Sequence, residues 1–199
     1  AGQDFFERGQ HARPSQRRWL RPLIGCIGHP PEQPHPAIDP AFRGDPVLLD
    51  RRLRNDRAKP PKGQGTWPAV WMMPAANVYG SWPRSGEIDI LEGVNLGASC
   101  PQCEGDASEN RMISALHFGD YAPKNKVRDT RIALPSKALP SDDYHVWTLE
   151  WGEGLMRFYL DGRKYWELTQ KDWDSASPKA KRNPVAPFDQ PFYIMANLA

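Results

Sequence analysis

The sequence predicts an all-β protein, an antiparallel sandwich of two sheets. Two stretches carry that expectation. Residues 144–151 alternate, with His145, Trp147, Leu149 and Trp151 on one face, as the period-two geometry of a half-buried strand requires. Directly afterwards Gly152-Glu153-Gly154 turns the chain, residues 155–160 form a strand, Asp161-Gly162 is a two-residue hairpin signal, and residues 163–168 return. Meanders with turns spaced this regularly build antiparallel sandwiches.

The chain before this meander divides near residue 57. Residues 1–57 hold ten Arg and no Lys, three of the five His, and one Trp, Trp19. Pro is dense from Pro30 to Pro46, and alternation is absent. Such a stretch reads as an irregular Arg/Pro-rich segment, disordered or translated out of frame, because a GC-rich gene read in the wrong frame gives text of this kind. Residues 58–199 read as a partial β-sandwich domain. Lys62-Gly63-Gln64-Gly65 is a turn, and residues 66–73 are a strand in which Pro68 belongs at a bulge or edge. Residues 74–83 are a loop, and the long polar stretch 93–110 is another, of the kind that often serves as a binding loop. Residues 111–118 are a strand. Residues 120–140 are a polar connection with short edge strands, and residues 169–187 are a basic loop. An apolar strand over 191–199 ends without a turn signal. The expectation is therefore a chain truncated at its C-terminus and poorly stable alone.

One stretch organises the domain chemically. Gly86-Glu87-Ile88-Asp89-Ile90-Leu91-Glu92-Gly93 places three carboxylates in six residues, interleaved with Ile, Ile and Leu. In a regular strand Glu87 and Asp89 share a face, and Glu92 points the other way. A β-bulge around Ile90-Leu91 restores Glu92 to the face of the other two. Crowded carboxylates repel, so one stays ionised while another keeps its proton near neutral pH. That pairing is the equipment of retaining glycoside hydrolysis, where the two carboxyls lie about 5–5.5 Å apart. The same residues also suit a calcium site or an ordinary amphipathic edge strand.

Composition narrows the alternatives. A formal net charge of +2 gives no footprint for nucleic acid, and no apolar run is long enough to span a membrane. No signal peptide is visible at Ala1-Gly2-Gln3-Asp4. Eight Trp in 199 residues is high; flat rings stack on sugar faces, and they also fill sandwich cores. Cys100 and Cys103 form one Cys-x-x-Cys, read as a local disulfide or two free thiols, and Cys26 is left over.

Glu-x-Asp-x-x-Glu after Gly86, preceded by Trp82-Pro83-Arg84-Ser85, resembles the active-site signature of family 16 glycoside hydrolases, in its laminarinase-type (endo-β-1,3-glucanase) form. Residues 63–74, Ser114-Ala115-Leu116-His117-Phe118-Gly119 and the run from Asp189 to Ala199 resemble flanking strands of that family. The resemblance covers roughly residues 58–199. It implies a two-sheet, concanavalin-like jelly roll with the carboxylates on its concave sheet. It also implies Glu87 as nucleophile, Glu92 as general acid/base and Asp89 as the assisting residue. Trp82 and Trp71 become candidate sugar-binding residues, and His117 a candidate partner of Glu92 or of a sugar hydroxyl, while His145 stays structural. The implied partner is a β-glucan, β-1,3 or mixed β-1,3/1,4, cut outside the cell or in the periplasm by a monomer. No metal is required for that chemistry, though a structural calcium on the convex face is compatible with such a sandwich. The rival expectations are a non-catalytic β-glucan-binding protein and an inactive fragment of such an enzyme.

Overall fold

A computed structural model describes residues 53–103 and 107–199. Its strands, in chain order, are β1 (Leu53–Ala58), β2 (Pro68–Pro74), β3 (Glu87–Glu92), β4 (Arg111–Gly119), β5 (Asn125–Ala133), β6 (His145–Gly152), β7 (Leu155–Leu160), β8 (Arg163–Thr169) and β9 (Phe192–Leu198). They form two sheets, a four-stranded one in the order β1-β6-β7-β8 and a five-stranded one in the order β5-β4-β3-β2-β9. Every pairing is antiparallel. The all-β, two-sheet expectation therefore holds.

The core lies between the sheets. Ile88, Ile90, Leu91, Met112, Leu116 and Phe118 from the five-stranded sheet join Trp147, Leu149, Trp151, Met156, Phe158 and Leu160 from the other. Trp147, Leu149 and Trp151 are the alternating residues of β6, and the Asp161-Gly162 turn has the positive φ values, 50° and 77°, that a tight hairpin needs. A buried aromatic removes roughly 150–250 Å² from water, worth several kcal/mol at about 25 cal/mol per Å². His145 is structural as expected: its Nδ1 lies 2.7 Å from Asp161 Oδ2, beside the hairpin turn.

Three local expectations need correction. β1 takes in residues 53–57 of the stretch read as irregular, with Asp56 opposite Trp147 on β6. The rest of that reading, with Trp19 and Cys26, lies outside the described residues. Residues 125–133 form a full nine-residue strand, β5, where only short strands were expected. β5 is an edge strand whose first five residues are all exposed. Its Lys126, Arg128 and Arg131 carry charges that guard an edge and hide the usual apolar alternation. Pro68 sits at neither a bulge nor an edge. It is the first residue of β2, between β3 and β9, where its carbonyl accepts from Gly93 N at 2.9 Å and no donor is needed.

Candidate active site

β3 carries the bulge. On β2, Val70 faces Leu91 and Trp71 faces Asp89, so Ile90 is the extra residue. On β4, Ala115 faces Asp89 and Ile113 faces Glu92, leaving Ile90 and Leu91 opposite Ser114. Both Ile90 and Leu91 go into the core, which turns Glu92 back to the side of Glu87 and Asp89. A bulge leaves a ladder group unpaired, and the buried Ser114 hydroxyl supplies the missing donor to Ile90 O at 2.7 Å. Gly86 brings the chain into β3 at φ +85°, and a Cβ there would lie 2.8 Å from Phe188 Cε1. Only glycine fits that entry.

Each outer carboxylate accepts an indole N–H. Trp82 Nε1 donates to Glu87 Oε2, and Trp67 Nε1 donates to Glu92 Oε1 at 2.8 Å. Trp82 is 45% exposed. Its loop is held by the buried Ser85, which donates to Gly80 O at 2.6 Å and accepts from Tyr79 N at 3.0 Å. His117, opposite Glu87 on β4, places Nε2 3.3 Å from Asp89 Oδ2. It therefore contacts Asp89, where Glu92 or a sugar was expected. The Trp82 and His117 rings lie 6.0 Å apart, tilted by 43°. Trp71 shares the face of Asp89 and donates to Asn197 Oδ1 at 2.7 Å on β9, so it borders the carboxylates and is no core residue.

Burial raises all three carboxyls. Glu87 goes up to about 7, by burial first and the Asp89 charge second, while His117 and the Trp82 N–H pull it back. Asp89 is raised by burial against the opposing contact with His117. Glu92 is raised by burial against the Trp67 N–H. His117 is itself raised, by its contact with Asp89 before all else. The Asp89 charge beside Glu87 favours the protonated form of Glu87, so of the crowded carboxyls Glu87 is the one that keeps its proton up to about 7.

Glu87 ionises near 4.5 in the unfolded chain and near 7 in the fold. Between those values the fold holds a proton that the unfolded chain has lost, so stability falls as pH rises through the window. His117 adds to the same trend. Its raised pKa contributes stability below its ordinary 6.5, lost as pH rises through the folded value. Glu87→Gln cannot ionise. Discounted for the partial exposure of the site, it is expected to exceed the parent in stability by about 1–2 kcal/mol near pH 8 and by little near pH 4.5. Thermal melts at both pH values check this, and a gain confined to the acid side would contradict it.

The loop after Glu92 borders a second cleft, which none of the three carboxylates lines. Cys100 and Cys103 form a disulfide with Cα atoms 5.3 Å apart, which resolves the two readings of that pair. Cys100, Asn95, Ser99, Arg111 and Arg131 are among the residues lining a polar cleft of about 450 Å³. Arg111 is held there by Glu109 at 2.6 Å. Trp67 is the site residue that sequence reasoning missed. Its signal was the two-residue spacing Trp67, Ala69, Trp71, which puts it on the face of Trp71.

An antiparallel β-sandwich with paired carboxyls on an outer sheet face defines a class of carbohydrate-active protein, and comparison identifies which one. A family model described as "XgeA-like, catalytic GH16 domain" matches residues 54–110. Glucan endo-1,3-beta-glucosidase A1 of Niallia circulans is 38% identical over 143 residues, covering 72% of this chain and 19% of that protein. The beta-1,3-glucan-binding protein of Penaeus monodon is 36% identical over 156 residues, covering 72% of this chain and 40% of that protein. Among solved structures, a family 16 endo-glucanase from Bacteroides ovatus superposes with a TM-score of 0.56 at 28% identity, over 75% of this chain and 55% of that one. Over about three quarters of its length the chain is similar to glycoside hydrolases of family 16, laminarinase type among them. It spans less than half the length of the two curated relatives named.

Proposed function

We propose that this protein cleaves internal β-1,3 or mixed β-1,3/1,4 bonds of a glucan with retention of anomeric configuration. The observation that carries the reading is the bulge, which brings Glu87, Asp89 and Glu92 to one sheet face, with Trp82 and Trp67 on the outer two. Glu87 attacks the anomeric carbon as the glycosidic C–O bond breaks, and Glu92 gives its proton to the leaving oxygen. Water then opens the glycosyl-enzyme ester, and Glu92 takes the water's proton. Asp89 takes up the proton that Glu87 carries at rest, so that Glu87 is the anion at the moment of attack, and the Trp82 N–H supports that anion. His117 fixes Asp89. Trp82 and Trp71 supply the flat faces on which sugar rings stack.

Acid, base and nucleophile are all carboxyls, so the chemistry proposed needs no metal. A polymeric glucan is met outside the cell, as a monomeric secreted or periplasmic enzyme would meet it. The Cys100–Cys103 disulfide suits such an oxidising compartment. No helix among the described residues is long and apolar enough to cross a membrane.

The second reading is a glucan-binding protein without turnover, favoured by the kinship with the Penaeus monodon protein. Reducing-sugar release from laminarin separates the two. Release that disappears in Glu87→Gln is the expected result. Laminarin bound by the parent chain with no release would establish the binding protein instead.

A further inference from the structure

Trp67 is 48% exposed, and it belongs to neither buried cluster of the described residues. Its position is nonetheless tightly held. Trp67 N donates to Ala199 O at 2.9 Å, and Ala199 N returns a bond to Trp67 O at 3.1 Å. The residues on either side are tied to the chain just after Glu92, through Asn95 N to Thr66 O at 2.9 Å and Gly93 N to Pro68 O at 2.9 Å. Trp67 and Glu92 are therefore held in one frame, and the indole Nε1 meets Glu92 Oε1 at 2.8 Å within it.

An indole N–H donates only; it neither accepts a hydrogen bond nor takes up a proton. While it occupies Oε1, that oxygen serves as acceptor and the carboxyl proton resides on Oε2. We propose that Trp67 is a positioning residue for Glu92, reserving Oε1 so that Oε2 is the oxygen that exchanges the proton with substrate and water. This rests on the proposed acid/base role of Glu92. In the first step the Oε2–H bond breaks and the proton passes to the glycosidic oxygen. In the second, Oε2 takes a proton from the attacking water. The N–H also favours the anionic form of Glu92, in opposition to burial.

Trp67→Phe keeps an aromatic ring and removes the donor. Two readouts test the inference. The first is NMR titration of the Glu92 carboxyl carbon, with Glu92→Gln identifying its signal, in the parent and in Trp67→Phe. Loss of this hydrogen bond to the charged form, at an exposed site, is expected to move the midpoint upward by about 0.5–1 pH unit. The second is the pH profile of laminarin hydrolysis. Its basic limb moves up by a similar amount, and kcat falls about tenfold with KM nearly unchanged. An unmoved midpoint in a variant that melts like the parent overturns the inference. If the midpoint moves but the parent hydrolyses no glucan, the Trp67–Glu92 coupling stands, and the proposed function fails separately.

Discussion

Glu92→Gln is expected to lower laminarin hydrolysis by about 10²–10⁴-fold, the usual contribution of a positioned acid/base group. The amide keeps the shape and the Trp67 hydrogen bond at its oxygen, but it has no proton of suitable acidity to give. The loss should depend on the leaving group. A 2,4-dinitrophenyl β-glucoside leaves without protonation, so its glycosylation step survives in Glu92→Gln and the glycosyl-enzyme accumulates. Azide, which needs no general base to attack, should then restore turnover and give the β-glycosyl azide. Glu87→Gln should be inactive on both substrates and unaffected by azide, because no nucleophile remains. Equal losses on both substrates in Glu92→Gln, with no azide rescue, would remove Glu92 from the acid/base role.

Trp151→Ala is expected to destabilise the fold by about 3–5 kcal/mol, the range for emptying a large aromatic site in a core. That corresponds to a melting point lower by about 6–20 °C for a chain of this size. Trp151 is 2% exposed, and its Nε1 donates to Phe188 O at 3.0 Å. Its ring meets Phe192 edge-on, with centroids 5.2 Å apart. Removing it empties a large volume and leaves a buried carbonyl unpaired. Phe188 in turn fills the space against Gly86, just before Glu87, so activity should fall ahead of global unfolding. A melting point within a degree or two of the parent would show that the cavity collapses.

The meander was legible because its faces are chemically opposite. Trp147, Leu149 and Trp151 face the core while their neighbours do not, and Asp161-Gly162 has little use other than a tight turn. The bulge was legible for the same reason. Three carboxylates around Ile90 and Leu91 share one face of a strand only if the register slips once. β5 was not legible, since an edge strand that guards itself with charge has no apolar alternation to read. The fixing of Asp89 by His117 was out of reach as well. It depends on Glu87 and His117 meeting across β3 and β4, and pairing register is a property of two strands at once. Trp67 stood two residues from a recognised site residue, but whether its N–H meets a carboxylate or water depends on the side-chain direction of a strand end.

In the proposed reaction Glu87 forms a covalent bond to the sugar, and Glu92 serves it as acid and base. Incubation with an activated 2-deoxy-2-fluoro β-glucoside, followed by intact mass and peptide mapping, reads that bond. The fluorine slows release of the glycosyl-enzyme more than its formation. One added glycosyl group per chain is expected, carried on the peptide containing residues 87–92 and mapped to Glu87, with none on Glu87→Gln. A label on Glu92 or on another peptide would contradict it, as would turnover with inversion and no label at all.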